Sequence, residues 1–264
     1  MNIGFIGGGN MAEALMKGMT SQGMKDIIVS EPKQARRQYL NETYDTAVTG
    51  SNRDVVDTSQ IIILAVKPQN MKEVITDISP AVTEDKTVVS IAAGIKLDYL
   101  TAKLNTKRIV RVMPNTPALV QEGMSVMSLC ECFSDNAISV VREILMSVGK
   151  VITLPEKYMD AVTAVSGSGP AFIAFFVEAM IDSAVKLGLT HDDAHTLAVQ
   201  TLTGTAKLLD TGMSPSKLRE MVTSPGGTTA SGLDIFLDKG LFDIVLASMT
   251  AARNRSVELG RNSD

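Results

Sequence analysis

The sequence has 264 residues, 45% hydrophobic, 20% charged and 4% aromatic, with a formal net charge of −4. That composition excludes disordered and collagen-like chains, and its acidic balance lacks the basic footprint of a nucleic-acid binder. No stretch approaches the roughly 18 uninterrupted apolar residues of a membrane span, so none is expected.

Over residues 1 to roughly 152, short apolar runs alternate with amphipathic stretches. The runs are Ile3–Ile6, Ile27–Ser30, Ile61–Val66, Thr87–Ile91, Ile109–Met113, Ser125–Leu129 and Val151–Thr153. Helical spacing marks Met11–Gln22, Met71–Ile78 and Asn136–Ser147. The alternation predicts an α/β domain with a mostly parallel sheet covered on both faces. Strands of such a sheet read as continuous Ile/Val/Leu runs. The chain enters its first strand at Met1-Asn2-Ile3-Gly4-Phe5-Ile6 without the charged and then apolar pattern of a secretion leader. A cytoplasmic location is therefore expected. Cys130 and Cys132, one residue apart, suggest neither a disulfide framework nor a zinc site and read as small half-buried side chains. Beyond about residue 157 the strand signal ends. Ala171–Leu187, His191–Leu209, Ser216–Thr223, Thr229–Lys239 and Leu241–Leu259 carry helical spacing. Gly188, Gly212, Pro215, Pro225-Gly226-Gly227 and Gly240 separate them. The expected organisation is an α/β domain over 1–156 and an all-α domain over 157–264. Ala171–Leu187 is apolar around much of its circumference, so a partner subunit is expected to supply part of its burial.

Gly7-Gly8-Gly9-Asn10-Met11-Ala12 follows the first strand and opens the first helix, and it fits G-x-G-x-x-A. The first glycine permits a tight turn, the second lets backbone approach a pyrophosphate, and the small third residue lets helix and strand pack closely. The helix start then offers N–H groups and a positive dipole end to the phosphates. With a strand before it, a helix after it and a second strand at Ile27–Ser30, the turn predicts a dinucleotide site. Glu31 lies 22 residues past Gly9 at the end of that second strand. An acid there holds the ribose 2′-hydroxyl and repels a 2′-phosphate. Lys33, Arg36 and Arg37 follow closely and either offset that repulsion or form a solvated helix face. The expected cofactor is NADPH or NADH, with the acid favouring good use of NADH and NADPH left open. Ala65-Val66-Lys67-Pro68, Ile91-Ala92-Ala93-Gly94 and Met113-Pro114-Asn115-Thr116-Pro117 close three further strands. Ligands of an open parallel sheet lie outside those ends. Lys67 is thus expected near the cofactor, the small residues leave room for a ring, and Asn115 and Thr116 offer hydrogen bonds to a nicotinamide amide.

The helical half holds two unusual segments. Ser166-Gly167-Ser168-Gly169-Pro170 allows close backbone approach and puts proline near a helix start. Ser224-Pro225-Gly226-Gly227-Thr228-Thr229 reads as a capped loop entering a helix, with N–H groups able to receive a carboxylate. Its hydroxyls, especially that of Thr229, suit a neighbouring ring atom. His191 and His195 share a helix face, but no carboxylate or cysteine pattern completes a metal site around them.

The segments GFIGGGNM, AVKP, VVSIAAG, MPNTP, AVSGSGPAF and SPGGTT occur in this order. Together they resemble pyrroline-5-carboxylate reductase, nearly end to end. The resemblance implies a Rossmann-like N-terminal domain and a helical dimerisation and substrate domain that interlocks with its partner in a homodimer, sometimes assembled into larger rings. It also implies NAD(P)H-dependent reduction of 1-pyrroline-5-carboxylate to L-proline. Residue by residue, it implies that Ile6, Gly7, Gly8, Gly9, Asn10 and Met11 line the pyrophosphate and that Asn52 contacts the adenosine ribose side. Ala65, Val66, Lys67 and Pro68, with Ile91, Ala92 and Ala93, would flank the cofactor. Thr229 would face the substrate nitrogen, and Gly226, Gly227 and Thr228, in the loop that opens at Ser224, would hold its carboxylate. Two positions depart from the pattern: Glu31 stands where NADPH-preferring relatives often carry a small hydroxyl residue, and Pro114 where some have threonine.

A protonated imine already accepts hydride well, so the protein's task is proximity and orientation. This accounts for the lack of an obvious catalytic dyad. A β-hydroxyacid dehydrogenase of similar plan should need a proton-donating lysine or histidine in the helical half. Lys186 and Lys207, the mid-helix lysines there, lie outside the glycine-rich segments. A non-catalytic NAD(H) sensor would leave Ser224–Thr229 without a purpose.

Overall fold

The inner strands of the sheet are short and largely buried on both faces, while its two edge strands are partly exposed. The computed structural model describes residues 1–130 and 136–261, so Cys132 lies outside the described residues. Contacts divide the chain into residues 1–168 with the chain from 251 onward, and residues 169–250. In the first unit β1 (Ile3–Ile6), α1 (Asn10–Ser21), β2 (Ile27–Ser30), α2 (Gln34–Tyr44), β3 (Ala47–Thr49), α3 (Asn52–Thr58) and β4 (Ile61–Leu64) come first. Next are α4 (Met71–Ile78), β5 (Thr87–Ser90), α5 (Leu97–Lys103), β6 (Ile109–Met113), β7 (Gly123–Leu129), α6 (Asn136–Met146) and β8 (Gly149–Thr153). A helical run follows, with α7 (Met159–Val162) and a π-helical turn at Thr163–Gly167.

The strands form one sheet in the order β3-β2-β1-β4-β5-β6-β7-β8. Side chains of a strand alternate between faces, and β4 divides its own accordingly. Ile61 and Ile63 join Leu15, Met16 and Ile144 from α1 and α6 on one face. Ile62 and Leu64 join Val55, Ile75 and Leu100 from α3, α4 and α5 on the other. The helices bury the positions their spacing predicts, as in Met71, Val74, Ile75 and Ile78 of α4.

Three features differ from the sequence expectation. β3 has three residues at the sheet edge and no apolar run to announce it. α2 buries Leu40 alone, so its periodicity is faint. The β6–β7 pair is antiparallel, Val110 opposite Leu129 and Met113 opposite Val126, in a sheet otherwise parallel. Only nine residues separate β6 from β7. That is shorter than the dozen or so that a parallel crossover requires. The turn through Pro114 and Pro117 therefore reverses the chain.

The second unit is helical: α8 (Gly169–Lys186), α9 (His191–Asp210), α10 (Pro215–Met221), α11 (Thr228–Asp238) and most of α12 (Leu241–Arg261). Ile181, Ala194 and Ala198 form its small core, with Val177 and Ala184 packed against them. Most of its large apolar side chains are exposed, Phe175 at 73% and Phe242 at 72%. The last turns of α12 belong with the first unit, where the Ser256 hydroxyl donates to Asp160 at 2.7 Å.

Candidate functional site

The chain runs from β1 to β2 and β3 on one side and then crosses to β4 on the other, so the strand order reverses between β1 and β4. A crevice outside the carboxyl ends of the strands opens at such a point. Parallel registers put Ile6 beside both Ser30 and Leu64, and Leu64 beside Ser90. The residues just beyond these ends, Gly7, Glu31, Ala65 and Ile91, are thereby brought to one edge.

Each glycine of the turn has a distinct reason to be there. Gly7 has φ +97°, and a Cβ on it would lie 2.7 Å from the Ala65 carbonyl oxygen. Gly8 is buried against Leu40 and Glu31. Gly9 is exposed, and a Cβ there would meet nothing within 4 Å. It is the N-cap of α1, and no side chain caps that helix. Ala12, 1% exposed, seats the helix on the sheet. Open space at Gly9 and uncapped N–H groups at Asn10 and Met11 form a cradle that fits a pyrophosphate. Ser51 caps α3 by accepting from the Asp54 N–H; α2, α4 and α5 also start without a side-chain cap, but on Lys33, Asn70 and Lys96, so what sets α1 apart is the open space at its glycine N-cap.

Glu31 and the nearby arginines form a network around Gly8. The Gly8 N–H donates to Glu31 Oε2 at 3.1 Å, and the Lys33 N–H donates to Oε1 at 3.0 Å. Arg36 Nε donates to the Gly8 carbonyl at 2.7 Å, and its other arm pairs with Glu13. Arg37 donates to the carbonyls of Glu31 and Pro32, at 2.6 and 2.9 Å. Tyr39 and Tyr44 donate to Glu13 Oε1 at 2.8 and 2.9 Å. Partial burial acts to raise the Glu13 pKa. The hydrogen bonds from Arg36, Tyr39 and Tyr44 and the Arg36 charge outweigh it and hold the group below its ordinary value. Burial first, then the Glu13 carboxylate, push the Tyr44 phenol up. The two arginines are therefore half-buried and engaged, not a solvated helix face; Lys33 is exposed.

Asn52 sits at the start of α3, where its Oδ1 accepts from the Ser30 hydroxyl at 2.7 Å and its Nδ2 donates to Asp77 at 3.0 Å. Ala65, Val66 and Pro68 are half-buried and Lys67 is exposed at the turn after β4. Ala92 is buried between half-buried Ile91 and Ala93. Asn115 differs from expectation. Its Oδ1 accepts the Met124 N–H at 2.8 Å and its Nδ2 donates to Ser166 at 3.3 Å. Its carboxamide thus ties the proline turn to β7 and to the π-helical turn instead of pointing outward; Thr116 beside it is exposed. Gly167 makes the close approach expected of its segment, for a Cβ there would lie 2.5 Å from the Met113 methyl. π-Helical turns concentrate at functional sites. An open apolar cleft of about 490 Å³ adjoins this one, lined by Met124, Val126, Ile152, Leu154, Val162 and Val165.

In the helical unit the Gly227 N–H donates to the Ser224 carbonyl at 3.0 Å. Proline at the second position and Gly226 at φ +67° in the third match a type II turn. The turn delivers Gly227 as the N-cap of α11. Contrary to the capped start expected, no side chain caps this helix either. Thr190 and Ser214, by contrast, cap α9 and α10. The N–H groups of Thr228 and Thr229 thus start a bare helix, with Thr229 half-buried and Thr228 exposed. His191 and His195 are exposed on α9.

Sequence reasoning missed Glu13, Ser30, Tyr39, Tyr44 and Asp77. The signal for part of this set was the helical spacing of Arg36 and Tyr39 on α2.

A doubly wound sheet with a bare glycine cradle at its switch point defines a dinucleotide-dependent oxidoreductase. Residues 2–94 match the family described as NADP oxidoreductase coenzyme F420-dependent, and residues 156–259 match pyrroline-5-carboxylate reductase dimerisation. A pyrroline-5-carboxylate reductase of Synechocystis sp. is 38% identical over 265 residues, covering 99% of both chains. The solved pyrroline-5-carboxylate reductase of Coxiella burnetii superposes with a TM-score of 0.91 at 34% identity. The Plasmodium falciparum pyrroline carboxylate reductase with NADP bound gives 0.88 at 30%. Each structure covers 98% of both chains. The chain belongs to the pyrroline-5-carboxylate reductase family and is an NAD(P)H-dependent oxidoreductase. Contrary to the expectation that nothing here could span a membrane, the helical run Glu156–Lys186 is long and apolar enough to do so by length and composition. It falls wholly inside the region matched to dimerisation.

Proposed function

We propose that the chain carries out the reaction of its family, NAD(P)H-dependent reduction of 1-pyrroline-5-carboxylate to L-proline, with the dinucleotide along the carboxyl ends of β1, β4 and β5. The observation that carries this reading is the pair of helices, α1 and α11, that start at a glycine with no side-chain cap. The first receives the pyrophosphate across Ile6 to Met11. The second receives the substrate carboxylate on the N–H groups after the Ser224–Gly227 turn. Asn52 lies on the adenosine side; Ala65 to Pro68 and Ile91 to Ala93 flank the rest of the cofactor.

The bound cofactor supplies the hydride. The protein holds the ring carbon against it, a matter of proximity and orientation. Ser224 to Thr229 contains no titratable side chain, which suits a ring that arrives as an iminium and needs no strong acid. Thr229 orients the ring nitrogen through its hydroxyl. Thr229→Ala then lowers kcat/KM about 10-fold or more, on the order of 1.4 kcal/mol. Unchanged kinetics would remove Thr229 from the mechanism.

We place the α/β part of the chain, to about residue 156, in cofactor binding, and the helical remainder in dimerisation and substrate binding. The working form is a homodimer, with larger rings of dimers a further level of assembly. The exposed phenylalanines of the helical unit support a second copy as the cover of that face. The proposed location is the cytoplasm. The test of the reaction is loss of reduced-nicotinamide absorbance on adding pyrroline-5-carboxylate. Imine-dependent oxidation is expected. Cofactor binding without oxidation would direct attention to hydroxyacid substrates or to a sensing role.

A further inference from the structure

The end of β2 carries a charge arrangement that bears on which dinucleotide the chain accepts. Glu31 is fixed by two backbone N–H groups, from Gly8 at 3.1 Å and Lys33 at 3.0 Å. Its carboxylate is therefore held at the adenosine end of the cradle, not free to swing away. The two arginines that could neutralise a phosphate there are engaged elsewhere, while Lys33 is exposed beside Glu31. Arg36 bridges the Gly8 carbonyl and Glu13, with its guanidinium 5.0 Å from the centre of the Tyr39 ring. Arg37 is turned onto the carbonyls of Glu31 and Pro32. To reach a phosphate, Arg36 would have to leave a half-buried carboxylate that two tyrosine hydroxyls also hold.

We propose that the anchored Glu31 carboxylate, with Arg36 and Arg37 tied down behind it, makes this enzyme selective for NADH over NADPH. The ribose 2′-hydroxyl donates to Glu31, whereas a 2′-phosphate meets a fixed like charge and finds neither arginine free. Arg36 is a positioning residue: it holds the carbonyl of Gly8 while Glu31 holds the N–H of the same residue, so both peptides flanking Gly8 are fixed. The inference rests on the dinucleotide placement proposed above.

The test is calorimetric titration of the substrate-free protein with NADH and NADPH, and with 5′-AMP and adenosine 2′,5′-bisphosphate, beside kcat/KM for both cofactors. Wild type should bind NADH at least 10-fold more tightly than NADPH and 5′-AMP more tightly than the bisphosphate. Glu31→Gln keeps an acceptor oxygen and removes the charge, so it should narrow the ratio mainly by strengthening NADPH binding. Arg36→Ala should weaken both cofactors alike. Equal or tighter NADPH binding by wild type overturns the selectivity and leaves the placement standing; this arm needs no variant to fold. An unchanged ratio in folded Glu31→Gln, or a loss confined to NADPH in Arg36→Ala, overturns the assigned roles. Binding of neither nucleotide overturns both the selectivity and the placement.

Discussion

At the scale of single residues, Glu13 shows how a structural charge supports a ligand site. It lies in the first turns of α1 with its side chain 19% exposed, and it gathers Arg36, Tyr39 and Tyr44 from α2. Hydrogen bonds to a charged group contribute about 1.5–3 kcal/mol net. Glu13→Gln should therefore cost roughly 1–3 kcal/mol at neutral pH. The sign of its pH dependence follows from the direction of the shift. Glu13 titrates below its ordinary value in the folded protein. Its contribution is present above the unfolded value and disappears as pH falls through the folded one. Tyr44 is shifted upward. Its contribution is whole below the ordinary phenol value and is lost as pH rises through the folded one. Urea denaturation of wild type and Glu13→Gln across the acid range checks this. A stability gap that stayed constant down to pH 3 would exclude the carboxylate as its source. Glu13 and Arg36 are 23 residues apart in sequence, on helices joined only through β2, so neither residue announces the other.

At the scale of elements, strand and helix identity followed from local pattern, but direction and pairing did not. The apolar runs at Ile3–Ile6 and Ile27–Ser30 are strands with those bounds, and Met71–Ile78 is a helix with its predicted ends. The Ile61–Val66 run ends as a strand at Leu64, where Ala65 and Val66 turn out at the sheet edge. The reversal of β7 depends on connection length and on two prolines, not on the apolarity of Ser125–Leu129. β8 lies against β7 so closely that a Cβ on Gly149 would sit 2.0 Å from the Gly123 carbonyl oxygen, and Gly149 has φ +143°. Gly149→Ala should destabilise the first unit by about 3 kcal/mol, the upper end of the cost of a strained backbone residue. Guanidinium denaturation of the variant measures it. A midpoint equal to wild type would mean that β7 and β8 separate without cost.

At the scale of the whole molecule, the helical unit is under-buried for its composition. Phe172, Ile173, Phe175 and Phe176 on α8 are all exposed, and its own core amounts to a few small side chains. Monomeric proteins rarely expose contiguous apolar patches of more than a few hundred Å². Phe175→Glu should convert the assembled protein to monomer, read by light scattering behind a sizing column, and abolish turnover. An unchanged mass would place the interface elsewhere. The run Ala171–Leu187 was legible as a helix that needs more burial than one chain supplies, because an apolar circumference is a local property of sequence.

The sequence by itself determined the alternation of strands and helices, the switch to an all-helical second half, the glycine turn and the Ser224–Thr229 loop. These depend on periodicity and on residues with special backbone freedom, which act over a few positions. Tertiary structure alone decided that Asn115 turns inward to Ser166 and that Arg36 is held between Gly8 and Glu13. Each of these is settled by partners brought together from distant parts of the chain. The free energy of such a contact depends on what the whole fold places within hydrogen-bonding distance, and no local pattern records it.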